Sequence, residues 1–227
     1  MAIYITGDTH GDLNRFKHPM FRKIKKHDTL IICGDFGFIW DGSKQEQRTL
    51  RWLGKRRYNV LFVDGVHENF DELETYEVEE WCGGKTRKIS GKLRQLMRGE
   101  MFEIDSKRVL AFGGGELDEG EHGQNGNKHT PTPADFECAM DSLQRVDYKL
   151  DYIVSYEPPT KIAEFIALNK SISVNDNLSH YLDEINRRAD YKRWFFGKHH
   201  INKIVAAKYF ALFDNVISAE HDPTFGS

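Results

Sequence analysis

The sequence has few cysteines and no long apolar run, and both absences restrict the class of protein. Its three cysteines, Cys33, Cys82 and Cys138, are odd in number and widely spaced, so they form neither a disulfide framework nor a Cys-x-x-Cys metal site. The N-terminus lacks a basic region followed by an apolar stretch, and no apolar run approaches the length that crosses a membrane. These features predict a soluble, cytoplasmic protein that has no membrane partner.

An excess of charge of one sign is also missing. The 32 basic and 35 acidic residues leave a formal net charge of -3, which does not indicate a nucleic-acid surface but does not exclude one. The 227 residues are 39% hydrophobic and 12% aromatic, enough to bury one large core. No internal repeat or linker divides them, so we predict a single domain over residues 1–227. The oligomeric state cannot be read from these patterns.

In the first third of the chain, apolar runs alternate with helical patterns. Residues 3–5, 30–33 and 60–63 are typical of buried strands. A helix is predicted from about residue 44 to residue 57, and an amphipathic helix with Asp12 as its cap is predicted after the first strand. This alternation indicates βαβ units and a largely parallel sheet.

In the middle of the chain the pattern of apolar residues changes from alternating strands and helices to closely spaced short runs. Short runs separated by turn residues predict antiparallel strands that form or extend a second sheet, at residues 85–90, 93–97, 101–105 and 109–113. Residues 113–132 are polar and glycine-rich, and this length suggests a functional lid or an insertion. The last part of the chain again predicts helices and short strands: a helix begins near residue 132 and a second contains Leu178, and strands lie near residues 152–154, 194–196, 203–207, 209–214 and 216–219.

Polar residues follow several of the predicted strands. Asp8 and His10 are two residues apart, so in extended geometry their side chains leave the same face, and a carboxylate with an imidazole forms half of a divalent metal site. Asp35, His67 and His200 each follow another apolar strand. Because such strand ends meet at one crevice of an α/β sheet, we expect these residues to lie together.

Five motifs occur in a fixed order along the chain. They are Gly-Asp-x-His-Gly at residues 7–11, Gly-Asp-Phe-Gly at 34–37, Gly-x-His-Glu-Asn at 65–69, Ser-x-Glu-Pro-Pro at 155–159 and Gly-x-His-His at 197–200. Taken together they resemble the calcineurin-like metallophosphoesterase family. The first two motifs are intact, and each of the other three departs from the family pattern.

The resemblance implies a mixed α/β fold, a four-layer αββα sandwich of two mixed β-sheets flanked by helices. It also implies a metal centre at the strand ends. One metal ion would be held by Asp8, His10, Asp35 and His200, and all four residues are present. Mixed aspartate and histidine ligation suits Mn, Fe or Zn.

The resemblance further implies a second metal site, which would share Asp35 with the first, but in this chain the three ligands that belong to the second site alone are replaced. The corresponding positions are Val66, Tyr156 and Lys198. Val66 cannot coordinate a metal, Tyr156 could do so only as a phenolate, and Lys198 is a donor without an acceptor. The Lys198 ammonium could instead hold a phosphate oxygen where the second metal would sit. We therefore predict at most one metal ion per chain.

Two hypotheses for function follow from the resemblance. In the first, the protein is a hydrolase of phosphomonoesters or phosphodiesters, in which Lys198 offsets charge on the phosphoryl oxygens. His67 matches a family histidine that protonates the leaving oxygen or stabilises the transition state. In the second, an impaired relative binds a phosphorylated ligand or nucleotide without turnover. Replacement ligands could also come from residues 113–132, Glu157 or His199.

Overall fold

The computed structural model describes residues 1–117, 126–167 and 176–220. The strands in these ranges are, in chain order, β1 (Ile3–Thr6), β2 (Thr29–Cys33), β3 (Asn59–Val63), β4 (Val78–Trp81), β5 (Gly84–Ser90), β6 (Leu93–Leu96), β7 (Met101–Ile104), β8 (Lys107–Phe112), β9 (Lys149–Ser155), β10 (Asp190–Phe196), β11 (Lys203–Val205), β12 (Tyr209–Ala211) and β13 (Ile217–Ser218). The α-helices are α1 (Lys44–Gly54), α2 (Phe70–Leu73), α3 (Pro133–Arg145), α4 (Thr160–Ala167) and α5 (Asp176–Arg188). None of these helices has the length and apolar character that crossing a bilayer requires.

The strands form two mixed sheets. The first has the order β13-β1-β2-β3-β6-β5-β4, in which β1, β2, β3 and β6 run parallel and the remaining strands pair antiparallel. The second has the order β11-β12-β10-β9-β8-β7, with a parallel centre from β12 to β8. The carboxyl ends of these parallel strands carry the motif loops, as expected for an α/β sheet.

Three apolar clusters define the layers. Strand β2 is buried along its whole length, because its alternate residues face two different cores. Ile31 packs into the cluster between the two sheets, and Leu30 packs into the cluster that contains Leu50 of α1. A third cluster joins the outer face of the second sheet to α3 and α5. The order is helices, sheet, sheet, helices, which confirms the predicted αββα sandwich.

The segment after β1 differs from the predicted amphipathic helix. It forms two short 3-10 helices, Arg15–Lys17 and Pro19–Lys23. His18 between them is extended, with ψ of 142°, because the ring of a following proline disfavours the helical conformation. Asp12 does not cap a helix, and its carboxylate instead accepts the Asn14 N–H at 2.9 Å. The apolar residues of this segment still reach the core.

The strands in the middle of the chain divide between the two sheets, so the prediction that all four runs build a second sheet is wrong for two of them. Strands β5 and β6 join the first sheet with β4, and β6 pairs parallel to β3, whereas β7 and β8 begin the second sheet and β8 pairs parallel to β9. The edge strand β4 and the short helix α2 were not predicted. Helix α1 ends at Gly54 and not near residue 57. Helix α3 begins as predicted, with a capping box in which Thr132 and Asp135 exchange hydrogen bonds.

Candidate metal centre

Asp8, His10 and His200 come together at the ends of β1 and β10. The Nε2 atoms of His10 and His200 face each other at 2.9 Å. Asp8 Oδ2 lies 3.1 Å from His200 Nε2 and 3.9 Å from His10 Nε2. Three potential ligand atoms from residues nearly 200 positions apart in sequence therefore converge on one point.

Burial controls the charge of this cluster. Asp8 is completely buried, and burial raises the pKa of its carboxyl group. Burial also lowers the pKa of His10, which favours the neutral imidazole that binds metals. Contact with Asp8 has the opposite effect on His200 and raises its pKa. A metal ion that binds here therefore competes with a proton on His200.

The cluster fits a divalent metal ion. Among the residues that the structure describes, Asp8 Oδ2 is a buried oxygen without a hydrogen-bond partner, and its nearest cationic neighbour is His200 Nε2 at 3.1 Å. At 2.9 Å the two Nε2 atoms can share one hydrogen bond when one ring carries its hydrogen on Nε2, and a cation could take the place of that hydrogen. Two nitrogens and one carboxylate oxygen form a donor set that Zn, Fe and Mn accept. A bound cation would satisfy all three atoms at once.

Asp35 adjoins this cluster through His10. It forms a second group of potential ligands together with His10 and His67. Its Oδ1 accepts the backbone N–H groups of Val66 and His67, each at 2.8 Å. Burial alone would raise the Asp35 pKa, but hydrogen bonds from the ring and backbone of His67 outweigh burial and lower the pKa. Asp35 is therefore a carboxylate, and each of its oxygens already accepts hydrogen bonds.

His67 presents its imidazole to this carboxylate. Its Nδ1 lies 2.9 Å from Asp35 Oδ2, and 43% of the side chain is exposed. A carboxylate that accepts from Nδ1 favours the tautomer that carries its hydrogen on this nitrogen, and it holds the ring in one orientation. This is the arrangement required of an oriented acid–base histidine.

Tyr156 contacts Asp35 and packs against Gly34. Its hydroxyl donates to Asp35 Oδ2 at 3.0 Å, and its side chain is 3% exposed. Burial raises the pKa of this phenol far above its usual value, so the group stays protonated. The ring packs so closely on Gly34 that a Cβ there would meet Tyr156 Cδ2 at 2.0 Å. Tyr156 therefore donates a hydrogen bond to the Asp35 carboxylate from a buried position.

The Lys198 side chain contacts the loops that follow β8 and β9. Its Nζ donates to Glu157 Oε1 at 2.9 Å and to the backbone carbonyl of Glu116. Glu157 Oε1 also accepts the Glu116 N–H at 2.7 Å. The backbone N–H of Lys198 reaches Asp8 Oδ1 at 3.2 Å. The ammonium thus has a carboxylate partner that offsets its charge. Of the predicted segment 113–132, residues 118–125 lie outside the described ranges.

The backbone at the centre is unusual. His10, Asp35, Lys198 and His200 all have positive φ, between 35° and 56°, a conformation that non-glycine residues rarely adopt. Such strain persists only where the surroundings impose it, and it is typical of functional sites. At Gly197 a Cβ would lie 2.0 Å from Asp8 Oδ1, so the loop after β10 lies directly on the carboxylate.

Glu68 supports the centre, and sequence reasoning did not assign it a role. It is 1% exposed and accepts the N–H groups of Phe36 at 2.6 Å and Gly37 at 3.2 Å. It thereby joins the loop that carries His67 to the loop that carries Asp35. Burial raises the pKa of this carboxyl group well above its usual value. Its position directly after His67 in the third motif was the available signal.

Comparison with known proteins finds a matching family model and similar solved structures. A family model described as calcineurin-like phosphoesterase matches residues 1–209. A crystal structure described as a 5'-nucleotidase from Staphylococcus aureus, in complex with alpha-ketoglutarate, matches with a TM-score of 0.51 and 13% identity. The match covers 95% of this chain and 49% of that one, so the chain spans about half of that protein. A protein of unknown function from Aquifex aeolicus has a TM-score of 0.35 and 15% identity, over 82% of this chain and 98% of its own. No curated protein sequence matches.

Proposed function

This chain belongs to the calcineurin-like phosphoesterase family, and we propose that it hydrolyses phosphoesters with one divalent metal ion per chain. The observation that carries the proposal is Asp8 Oδ2, buried without a hydrogen bond beside two facing imidazole nitrogens. Asp8, His10 and His200 would hold the ion, with Asp35 as the fourth ligand. An ion in this position would supply Lewis-acid catalysis and would lower the pKa of a bound water.

Three residues around the ion would have separate roles in the reaction. His67, held by Asp35, would give a proton to the leaving oxygen or stabilise its developing charge. Lys198 would hold a phosphoryl oxygen by exchanging part of its contact with Glu157. Tyr156 would keep Asp35 oriented through its hydroxyl. The ligand would be a small phosphorylated molecule, and nucleoside monophosphates are the first to test because one similar structure is described as a 5'-nucleotidase.

The decisive experiment is turnover of p-nitrophenyl phosphate, bis(p-nitrophenyl) phosphate and nucleoside monophosphates in the presence of Mn²⁺. We expect turnover by the wild type, no turnover by Asp35→Ala, and a kcat lowered by about 10²- to 10⁴-fold in His67→Gln. His180→Gln is the matched control, since His180 is exposed on α5 away from the centre. Turnover by Asp35→Ala at the wild-type rate would contradict the proposal.

One observation favours the alternative of a binding protein. Both oxygens of Asp35 already accept hydrogen bonds, including one from Tyr156, which leaves this carboxylate less available to a metal. If the Mn²⁺-loaded protein binds nucleoside monophosphates with saturation but releases no phosphate from any substrate, the chain is a phosphate-ligand binder. The same residues would then serve recognition alone.

The role of Lys198 can be tested through its carboxylate partner. Glu157→Gln keeps the side-chain shape but removes the charge that Lys198 contacts at 2.9 Å. We expect inorganic phosphate to bind about fivefold more tightly to this variant, because about 1 kcal/mol of competing attraction is lost. Isothermal titration with phosphate measures the change. Glu164→Gln, at an exposed position of α4, is the control. Unchanged phosphate affinity in Glu157→Gln would mean that Lys198 does not contact the anion.

A further inference from the structure

The imidazole of His200 packs against the aromatic ring of Phe213. The ring centroids of His200 and Phe213 are 4.8 Å apart, with an interplanar angle of 35°. The backbone N–H of Phe213 donates to Asn202 Oδ1 at 3.0 Å, and Asn202 follows His200 by two residues. The ring that supports His200 is therefore fixed to the same loop. Phe213 lies beyond residues 1–209, the part of the chain that the family model matches.

Arg15 connects this ring to the other side of the centre. Its guanidinium carbon lies 5.4 Å from the centroid of the Phe213 ring. The same guanidinium donates to the backbone carbonyls of Asp8 and Phe213, and to Thr6 Oγ1 at 2.9 Å. One cation from the 3-10 helix after β1 thus holds the loop of Asp8 and the segment behind His200 together.

The segment before Asp8 and the segment before Phe213 are in direct van der Waals contact. A Cβ at Gly7 would lie 1.9 Å from the carbonyl oxygen of Leu212, so the residue before Asp8 touches the residue before Phe213. The Leu212 N–H donates to the Phe196 carbonyl at 2.9 Å. Displacement of Phe213 would therefore be transmitted both to the first motif and to the loop that carries His200.

We propose that Arg15 and Phe213 are positioning residues that set the distance between Asp8 and His200 for a metal ion. This inference deepens the proposed function, because it concerns the same metal site. Neither side chain offers a metal ligand: Arg15 is a donor only, and Phe213 has no polar atom. They act by fixing ligand orientation, a role in which outer residues typically contribute 10- to 100-fold in metal affinity.

The test is Mn²⁺ affinity, measured by competition with a chromophoric chelator, for wild type, Phe213→Leu and Arg15→Met. Both substitutions keep a large apolar side chain, but Phe213→Leu removes the aromatic ring and Arg15→Met removes the guanidinium. We expect each to weaken Mn²⁺ binding by about 10-fold or more. Arg193→Met is the matched control, because Arg193 also lies 5.4 Å over a phenylalanine ring, that of Phe210, away from the ligands. Its Mn²⁺ affinity should stay within about twofold of the wild type.

Co²⁺ absorption spectra give a second readout that general stability would not change. The d–d bands should shift in Phe213→Leu and Arg15→Met, because the geometry of the ligands changes, and should match the wild type in Arg193→Met. If Arg15→Met does not fold, Arg15→Lys replaces it in the test, since lysine keeps the charge but loses the forked donors.

Wild-type affinity and spectra in the Phe213 and Arg15 variants would overturn the inference while leaving the proposed function intact. Equal weakening in Arg193→Met would also overturn the inference. Absence of Mn²⁺ binding by the wild type would overturn both.

Discussion

Wild-type protein reconstituted with Mn²⁺ should hold one equivalent per chain, and the Asp8→Asn variant should hold none. Asp8 contributes a buried carboxylate oxygen within 3.9 Å of both His10 and His200. Asparagine keeps the volume of the side chain and replaces the negative charge, so a cation would lose its main electrostatic attraction. We expect the affinity to fall by more than about 100-fold, beyond the range for outer residues. Elemental analysis after gel filtration measures the stoichiometry.

Thermal unfolding provides an independent measure of the same site. A ligand that binds only the folded state at 100 times its Kd raises the free energy of unfolding by about 2.7 kcal/mol. Mn²⁺ should therefore raise the Tm of the wild type and leave that of Asp8→Asn unchanged. Asp12→Asn is the matched control, because Asp12 is an exposed aspartate four residues away. Two equivalents in the wild type would contradict a single site and would direct attention to residues 113–132 and Glu157.

The fold was largely predictable because its strands are short apolar runs bounded by motif residues. The strand predicted at residues 60–63 became β3, and the aspartate and histidine motifs lie where the parallel strands end. Local pattern was sufficient here because each motif follows a strand whose burial on both faces is evident from its composition. The spacing of apolar residues after β1 predicted one helix, but Pro19 interrupts this segment, which forms two short 3-10 helices instead.

The contacts inside the centre could not be predicted in the same way. Tyr156 bonds to Asp35 across 121 residues, and Lys198 bonds to Glu157 across 41. The sequence identified Tyr156 and Lys198 as departures from the family pattern. It did not reveal that each side chain donates a hydrogen bond to a neighbouring carboxylate. Such pairings depend on backbone placement to within about 0.5 Å, which no sequence pattern encodes. For the same reason the support of His200 by Phe213 was not foreseen.

The substitutions at the second site should be reversible. In the variant Val66→Asn, Tyr156→His, Lys198→His, we expect the Mn²⁺ stoichiometry to rise from one to two equivalents per chain. Removal of Tyr156 deletes the hydroxyl that donates to Asp35 Oδ2 and leaves that oxygen with one partner, His67 Nδ1. Removal of Lys198 deletes a cation from the place where a second ion would bind, and the three new side chains offer two imidazoles and an amide oxygen.

Steric fit favours this reconstruction. Histidine is smaller than tyrosine, so it can occupy the space between Gly34 and Gly115, where a Cβ on either glycine would meet the Tyr156 ring. Tyr156→Phe is the control that separates ligand gain from hydroxyl loss, since it deletes the donor without adding a ligand. It should bind one equivalent, and the triple variant two, by elemental analysis. A single equivalent in a folded triple variant would show that the Asp35 hydrogen bonds from Val66 and His67, which remain, suffice to keep a second ion out.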